Sequence, residues 1–246
     1  MDGPGPAPAL SILDGAALFL DFDGTLVELA DTPSAIRVGS GLPDLLLRLN
    51  AKLDGRLAIV TGRAVADLER HIACTGIAVS GSHGAEIHLP QGTRIPLAAP
   101  PGLKAAKAEA AAFATAHGLI FEEKPAGFAI HYRLAPDFAA RADAFMADLA
   151  ERSGLSLQHG KMVVELRPPG ADKGAAITAL MREPPFAGAR PVFVGDDLTD
   201  EHAFEAAAAM GGAGVLVGAP RATAARWRLA GVAETIAWLE AAAADA

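Results

Sequence analysis

Five short apolar runs set the fold of this chain: Ala16–Leu20, Leu57–Val60, Ile77–Val79, Val192–Val194 and Gly214–Val217, each followed at once by Gly, Asp, Ser or Thr. Runs this short, apolar without alternation, read as strands covered on both faces. Between them, residues 42–53, 64–73 and 200–210 carry apolar side chains at helical spacing. Strand, helix and strand in repetition predict a parallel sheet with helices on both sides, because the crossover between parallel strands must travel over a face.

The middle third breaks that rhythm. Residues 103–117 read as a helix, 120–124 and 128–133 as strands, 137–150 as a helix, and 155–159 and 162–167 as strands. Two αββ units in succession predict a small antiparallel sheet backed by two helices. Pro96, Pro100 and Pro101 precede this stretch and Pro168-Pro169 closes it, as linkers would. The expected organisation is a split core, 1–98 and 168–246, with an inserted α+β unit at 99–167.

Composition narrows the class. With 51% hydrophobic and 20% charged residues, the 246-residue chain has the balance of a globular protein able to bury a full core. Its net charge of −8 favours neither a nucleic-acid backbone nor an anionic membrane surface. Any phosphorylated substrate must therefore be met by local cations. The only cysteine, Cys74, rules out an internal disulfide and fits a reducing cytoplasm. No uncharged apolar stretch is long enough for a bilayer. The first ten residues, rich in Gly and Pro without an apolar core, are expected to be a frayed tail rather than a signal peptide.

The strand ends carry the chemistry. Asp21-Phe22-Asp23-Gly24-Thr25 follows the first run, so two carboxylates sit where an open parallel sheet forms its ligand crevice. Such a pair suits a hard cation such as Mg2+. It equally suits a carboxylate nucleophile beside an acid–base partner, or a plain acidic turn. Thr61-Gly62-Arg63 follows the second run, where a hydroxyl and free N–H groups make either an anion site or an ordinary helix cap. Lys173 opens a helix whose dipole it opposes, so either an anion faces it or it is a solvated surface lysine. Asp196, Asp197, Asp200 and Glu201 crowd the end of the fourth run and would repel one another without a cation, though Thr199 or Asp200 could simply cap the next helix.

Taken in order, DxDGT, a strand-terminal Thr, a Lys and GDDxTDE resemble the four motifs of the haloacid dehalogenase-like phosphatases. Gly81–Glu86, Glu122–Lys124, His131–Arg133 and Gly160–Pro168, with Asp31-Thr32-Pro33, resemble segments of the trehalose-6-phosphate phosphatases. The resemblance implies an α/β fold: a Rossmann-like parallel-sheet core with an inserted C2-type α+β cap, in the stand-alone form rather than a synthase fusion. It implies Mg2+-dependent hydrolysis of trehalose 6-phosphate as the last step of trehalose biosynthesis. Asp21 would be the nucleophile and Asp23 the acid–base group. Thr61, Gly62 and Lys173 would hold phosphate. Asp21, Asp196 and the main-chain carbonyl of Asp23 would hold the metal, with Asp197 and Asp200 orienting its surroundings.

For the sugar, the resemblance points first to Glu122, Lys124 and Glu165, then to His131, Arg133, Lys161 and His83. Strand alternation agrees, since it sets Lys161, Val163, Glu165 and Arg167 on one face and Ala129, His131 and Arg133 on another, although any half-solvated sheet alternates this way. The partner is then a small sugar phosphate, with no nucleic acid or membrane. Two other readings stay open: a phosphatase of sucrose 6-phosphate or hexose phosphates, and a sugar-phosphate sensor without turnover.

Overall fold

A computed structural model of the chain describes residues 5–30, 35–95, 100–124, 127–160, 162–170 and 172–244; Lys161, the Asp31-Thr32-Pro33 segment and the anticipated 98/99 boundary lie outside them. The fold is mixed α/β and divides into two compact units, one running to Ile95 and resuming at Asp172, the other between.

The first unit is built on an eight-stranded sheet. Its strands in chain order are β1 (Ala16–Leu20), β2 (Leu57–Val60), β3 (Ala78–Gly81), β4 (Glu86–His88), β5 (Arg94–Ile95), β10 (Arg190–Gly195), β11 (Ala213–Val217) and β12 (Trp227–Leu229). In space the order is β12-β11-β10-β1-β2-β3-β4-β5. The six strands from β12 to β3 are parallel, and β4 and β5 extend the edge antiparallel. The sequence reading omits β4, β5 and β12, which at two or three residues show no period.

Helices α1 (Leu42–Lys52), α2 (Val65–Leu68), α5 (Lys173–Leu180), α6 (Glu201–Ala209) and α7 (Val232–Ala244) complete the unit. All five residues of β1 are buried, and alternation sends them to two cores. Leu18 and Leu20 join Leu45, Leu46, Leu49 and Leu239 on the α1–α7 side. Ala17 and Phe19 join Ile177, Phe186, Phe193 and Phe204 on the α5–α6 side. Each of these Leu, Ile and Phe side chains contributes roughly 1.5–3 kcal/mol by leaving water.

Two expectations need correction. The helix anticipated at 64–73 ends at Leu68, because the backbone bonds tighten to three-residue spacing at Arg70 and His71. The amino-terminal stretch is not a loose tail from Gly5 onward. Gly5 donates its N–H to the Arg226 carbonyl at 2.9 Å, and Trp238 Nε1 donates to the Pro8 carbonyl at 3.0 Å.

The second unit comprises α3 (Leu103–His117), β6 (Ile120–Glu123), β7 (Phe128–His131), α4 (Ala139–Ser153), β8 (Ser156–Gly160) and β9 (Val163–Arg167). Its strands form an antiparallel sheet in the order β6-β7-β9-β8. Phe128, Ile130, Val164 and Leu166 pack against Ala106, Ala110, Met146 and Leu149 of the two helices. Left-handed glycines, Gly118 and Gly154, end both helices. Among the described residues no helix is long and apolar enough to cross a membrane.

Candidate active site

Four segments meet at the carboxyl ends of the parallel strands. Asp21 leaves β1 with its N–H bonded to the Val194 carbonyl of β10 at 2.9 Å, so sheet pairing continues into the crevice. Asp21 is 4% exposed, and its carboxylate lies 2.8 Å from Lys173 Nζ. Lys173 also reaches Asp200 Oδ1 at 2.6 Å, and Asp200 is fully buried. The anion that a lysine in the first turn of α5 calls for is therefore a pair of carboxylates. Burial opposes charge on Lys173, but Asp21 and Asp200 outweigh it and hold the ammonium above its ordinary range.

One ammonium cannot satisfy this cluster. Burial pushes the Asp21 carboxyl well above the usual carboxylate range, with Lys173 opposing and Asp200 adding to the rise. Burial, and then the charge of Asp200, push Asp196 up to about 6. Carboxylate oxygens of Asp21, Asp196 and Asp200 lie within 4.8 Å of one another. Three acids this close, with one cation between two of them, fit a divalent metal held by oxygen.

The turn after β1 closes on Asp196. Thr25 Oγ1 donates to Asp196 Oδ1 at 3.3 Å. Gly24 has φ +77, and a Cβ there would stand 2.2 Å from Asp196 Oδ2. Both the backbone conformation and the space restrict position 24 to glycine.

Asp23 faces elsewhere. Its two carboxylate oxygens accept from Arg63 Nε and Nη2 at 2.6 and 2.7 Å, a bidentate pair. Sequence reasoning quoted Arg63 within its motif but gave it no role; only the folded turn shows that the guanidinium spans back to β1. Thr61 is buried at the end of β2, and its hydroxyl accepts the Arg63 N–H at 3.2 Å. Ala64, not Thr61, precedes α2, so a plain helix cap is not its use.

His83 lies in the turn after β3 and covers Gly62, where a Cβ would be 2.5 Å from the imidazole. Ser82 and His83 both have positive φ, 50° and 54°, and Gly84 follows at 98°. The His83 N–H donates to the Thr61 carbonyl at 3.0 Å. His83 is thus brought against Thr61 and Gly62.

Asp197 is the capping residue of the acidic turn, accepting the Leu198 N–H at 2.6 Å, while Asp200 Oδ2 accepts the Asp197 N–H at 2.8 Å. The capping role anticipated for Thr199 or Asp200 falls mainly to Asp197, because it has the extended backbone of a cap.

In the second unit, Glu122, Ala129, Glu165 and Gln158 form one row across the four strands. Glu122 pairs with His131 Nε2 at 2.7 Å, and Lys124 pairs with Glu165. Four of the anticipated sugar residues therefore form two pairs on the polar face of the sheet, one hydrogen-bonded and one an ion pair. Arg133 is exposed in the turn beyond β7 and does not join them.

Comparison with known proteins agrees with this geometry. The trehalose-phosphatase family model matches residues 19–233. The chain is similar to a probable trehalose-phosphate phosphatase of Sinorhizobium fredii, with 43% identity over 85% of this chain and 80% of that one. It is similar to the trehalose-6-phosphate phosphatase of Escherichia coli, with 38% identity over 91% and 85% of the two chains. The crystal structure of a trehalose-6-phosphate phosphatase related protein superposes with a TM-score of 0.72 at 28% identity, covering 92% of this chain and 96% of that one. The architecture is shared with solved phosphatases of the haloacid dehalogenase-like superfamily. The chain belongs to the trehalose-phosphatase family, phosphoric monoester hydrolases built on the haloacid dehalogenase-like fold.

Proposed function

We propose that the chain hydrolyses trehalose 6-phosphate to trehalose and phosphate through a phosphorylated aspartate. The observation that carries this reading is the buried network of Asp21, Lys173 and Asp200 beside Asp196, at the strand ends of a chain whose relatives are named for that substrate. Asp21 attacks phosphorus, and the bond from phosphorus to the sugar oxygen breaks. Asp23 gives that oxygen a proton, then takes one from the water that opens the aspartyl-phosphate.

The Arg63 fork orients the Asp23 carboxyl group for both tasks. Lys173, Thr61 and the Gly62 backbone bind the transferring phosphoryl oxygens, and His83 braces that turn. Asp21, Asp196 and the Asp23 carbonyl would hold Mg2+, which when bound offsets the repulsion between carboxylate and phosphate. Asp197 and Asp200 fix the turn that presents Asp196.

The inserted unit, 99–167, reads the sugar with Glu122, Lys124, Glu165 and His131, together with Arg133 and Lys161. The core is then 1–98 with 168–246. The setting we propose is the last step of trehalose formation, in the cytoplasm.

The test is phosphate release from trehalose 6-phosphate by wild type and Asp21→Asn, with and without Mg2+. Wild type should turn over only with the metal, and Asp21→Asn should lose activity by about a thousandfold or more with its circular dichroism unchanged. Substantial turnover by Asp21→Asn would exclude the covalent route. Faster turnover of other sugar phosphates would move the substrate assignment.

A further inference from the structure

The peptide joining Asp196 to Asp197 is held at both ends. Its carbonyl accepts from Arg221 Nη2 at 3.4 Å, and its N–H donates to Asp200 Oδ2 at 2.8 Å. The same Arg221 nitrogen donates to the next carbonyl, that of Asp197, at 2.8 Å. Arg221 is held in turn by an ion pair with Glu201 at the start of α6. Glu201 also accepts from Thr223 Oγ1 at 2.8 Å and from the Ala224 N–H at 2.7 Å. The segment after β11 is thereby tied to the turn after β10.

These contacts have an unusual target. Arg221 pairs with one carboxylate through Nη1, which also reaches the Ala222 carbonyl at 3.2 Å, while Nη2 donates to two main-chain carbonyls of the turn that aims Asp196. Fixing both ends of that peptide removes the rotation that would swing the Asp196 side chain, which Thr25 restrains from the other side. Both Arg221 and Glu201 are about three-quarters buried, at 24% and 22% side-chain exposure, so the pair is not a loose surface bridge.

We propose that Arg221 is a positioning residue that sets the direction of the Asp196 carboxylate through the peptide that follows it, and that Glu201 holds Arg221 in register. The inference rests on the reading that Asp196 helps hold a divalent cation. Positioning and simple charge predict opposite outcomes. Removing a nearby positive charge alone would strengthen cation binding, whereas releasing a ligand's support weakens it, by about tenfold or more.

The experiment is calorimetric titration of Mg2+ into the full chain, as wild type, Asp196→Asn, Arg221→Met, Arg221→Lys and Glu201→Gln. Arg221→Met should raise the Mg2+ Kd about tenfold while its metal-free circular dichroism remains that of the wild type. Arg221→Lys should recover part of the loss, since an ammonium donates to carbonyls but lacks the planar fork. At saturating Mg2+ the kcat of Arg221→Met should return to near wild type. An unchanged or lower Kd in Arg221→Met would overturn the proposal. If that variant does not fold, unchanged affinity in both Arg221→Lys and Glu201→Gln would do the same. Loss of binding in Asp196→Asn alone refutes the positioning role and leaves the metal reading standing. Wild-type affinity in Asp196→Asn, or no Mg2+ binding by the wild type, refutes both.

Discussion

The strand-end crevice of the core and the polar face of the inserted sheet both gather acids and bases, but by different means. In the core, Asp21, Lys173 and Asp200 are at most 4% exposed, and they arrive from three distant stretches of chain. In the insert, Glu122–His131 and Lys124–Glu165 are partly exposed pairs whose partners lie on adjacent or nearby strands of one sheet. Buried charges cannot be satisfied by water, so the core site is coupled to the stability of its fold. The insert's charges remain hydrated, so they can change partners at little cost to folding. On the function we propose, the chemistry would lie with the buried charges, and the sugar would be read where side chains can exchange one another for a ligand.

Breaking the buried network should have the largest effect. Lys173→Met leaves Asp21 and Asp200 facing each other without compensation, and should cost about 3–5 kcal/mol in a urea or guanidinium unfolding curve. The comparison fails if the loss is below about 1 kcal/mol.

The matching change in the insert should separate function from folding. Glu165→Ala should cost less than about 1 kcal/mol in stability. It should lower kcat/KM for trehalose 6-phosphate by about ten- to a hundredfold, since charge-assisted bonds to hydroxyls would be lost. Hydrolysis of p-nitrophenyl phosphate should barely change. Equal losses on both substrates would make Glu165 a support of the sheet instead.

A smaller effect sharpens the contrast through pH. Asp196, pushed up to about 6, binds a proton more tightly when folded than when unfolded. Its contribution without metal therefore favours the fold below its unfolded value near 4, and that advantage disappears as pH rises through about 6. Mg2+ competes with the proton, so its stabilisation should grow over the same interval. Thermal unfolding with and without Mg2+ should show a Tm gain of a few degrees at pH 7.5 that shrinks by pH 5. A gain equal at both pH values would separate Asp196 from the cation.

The sequence disclosed these two regions unequally. Asp21, Lys173 and Asp196 were legible because each stands at the end of a run that could only be a buried strand or the start of the helix after one. The row of Glu122 and Glu165 was legible from strand alternation. Arg63 and Arg221 were not assigned, because their partners are set by turn geometry and by a segment remote in sequence. β4, β5 and β12 escaped for the opposite reason, being too short to display any period.

The pairing of β1 with β10 sets the order in which this protein can be made. Thr25 and Asp196 touch across 171 residues of chain, and β1 has no other partner for that edge. At 5–20 residues per second, a ribosome takes roughly ten to thirty seconds to supply the second strand after the first. Through that interval the β1 edge, with the Asp21 N–H among its donors, is open to pairing with another chain. The inserted unit, whose contacts are local, can meanwhile fold. The inserted unit would then be complete before the strand-end cluster of Asp21 and Asp196 can assemble, and the open edge would make nascent chains, rather than the finished fold, the species most prone to aggregate.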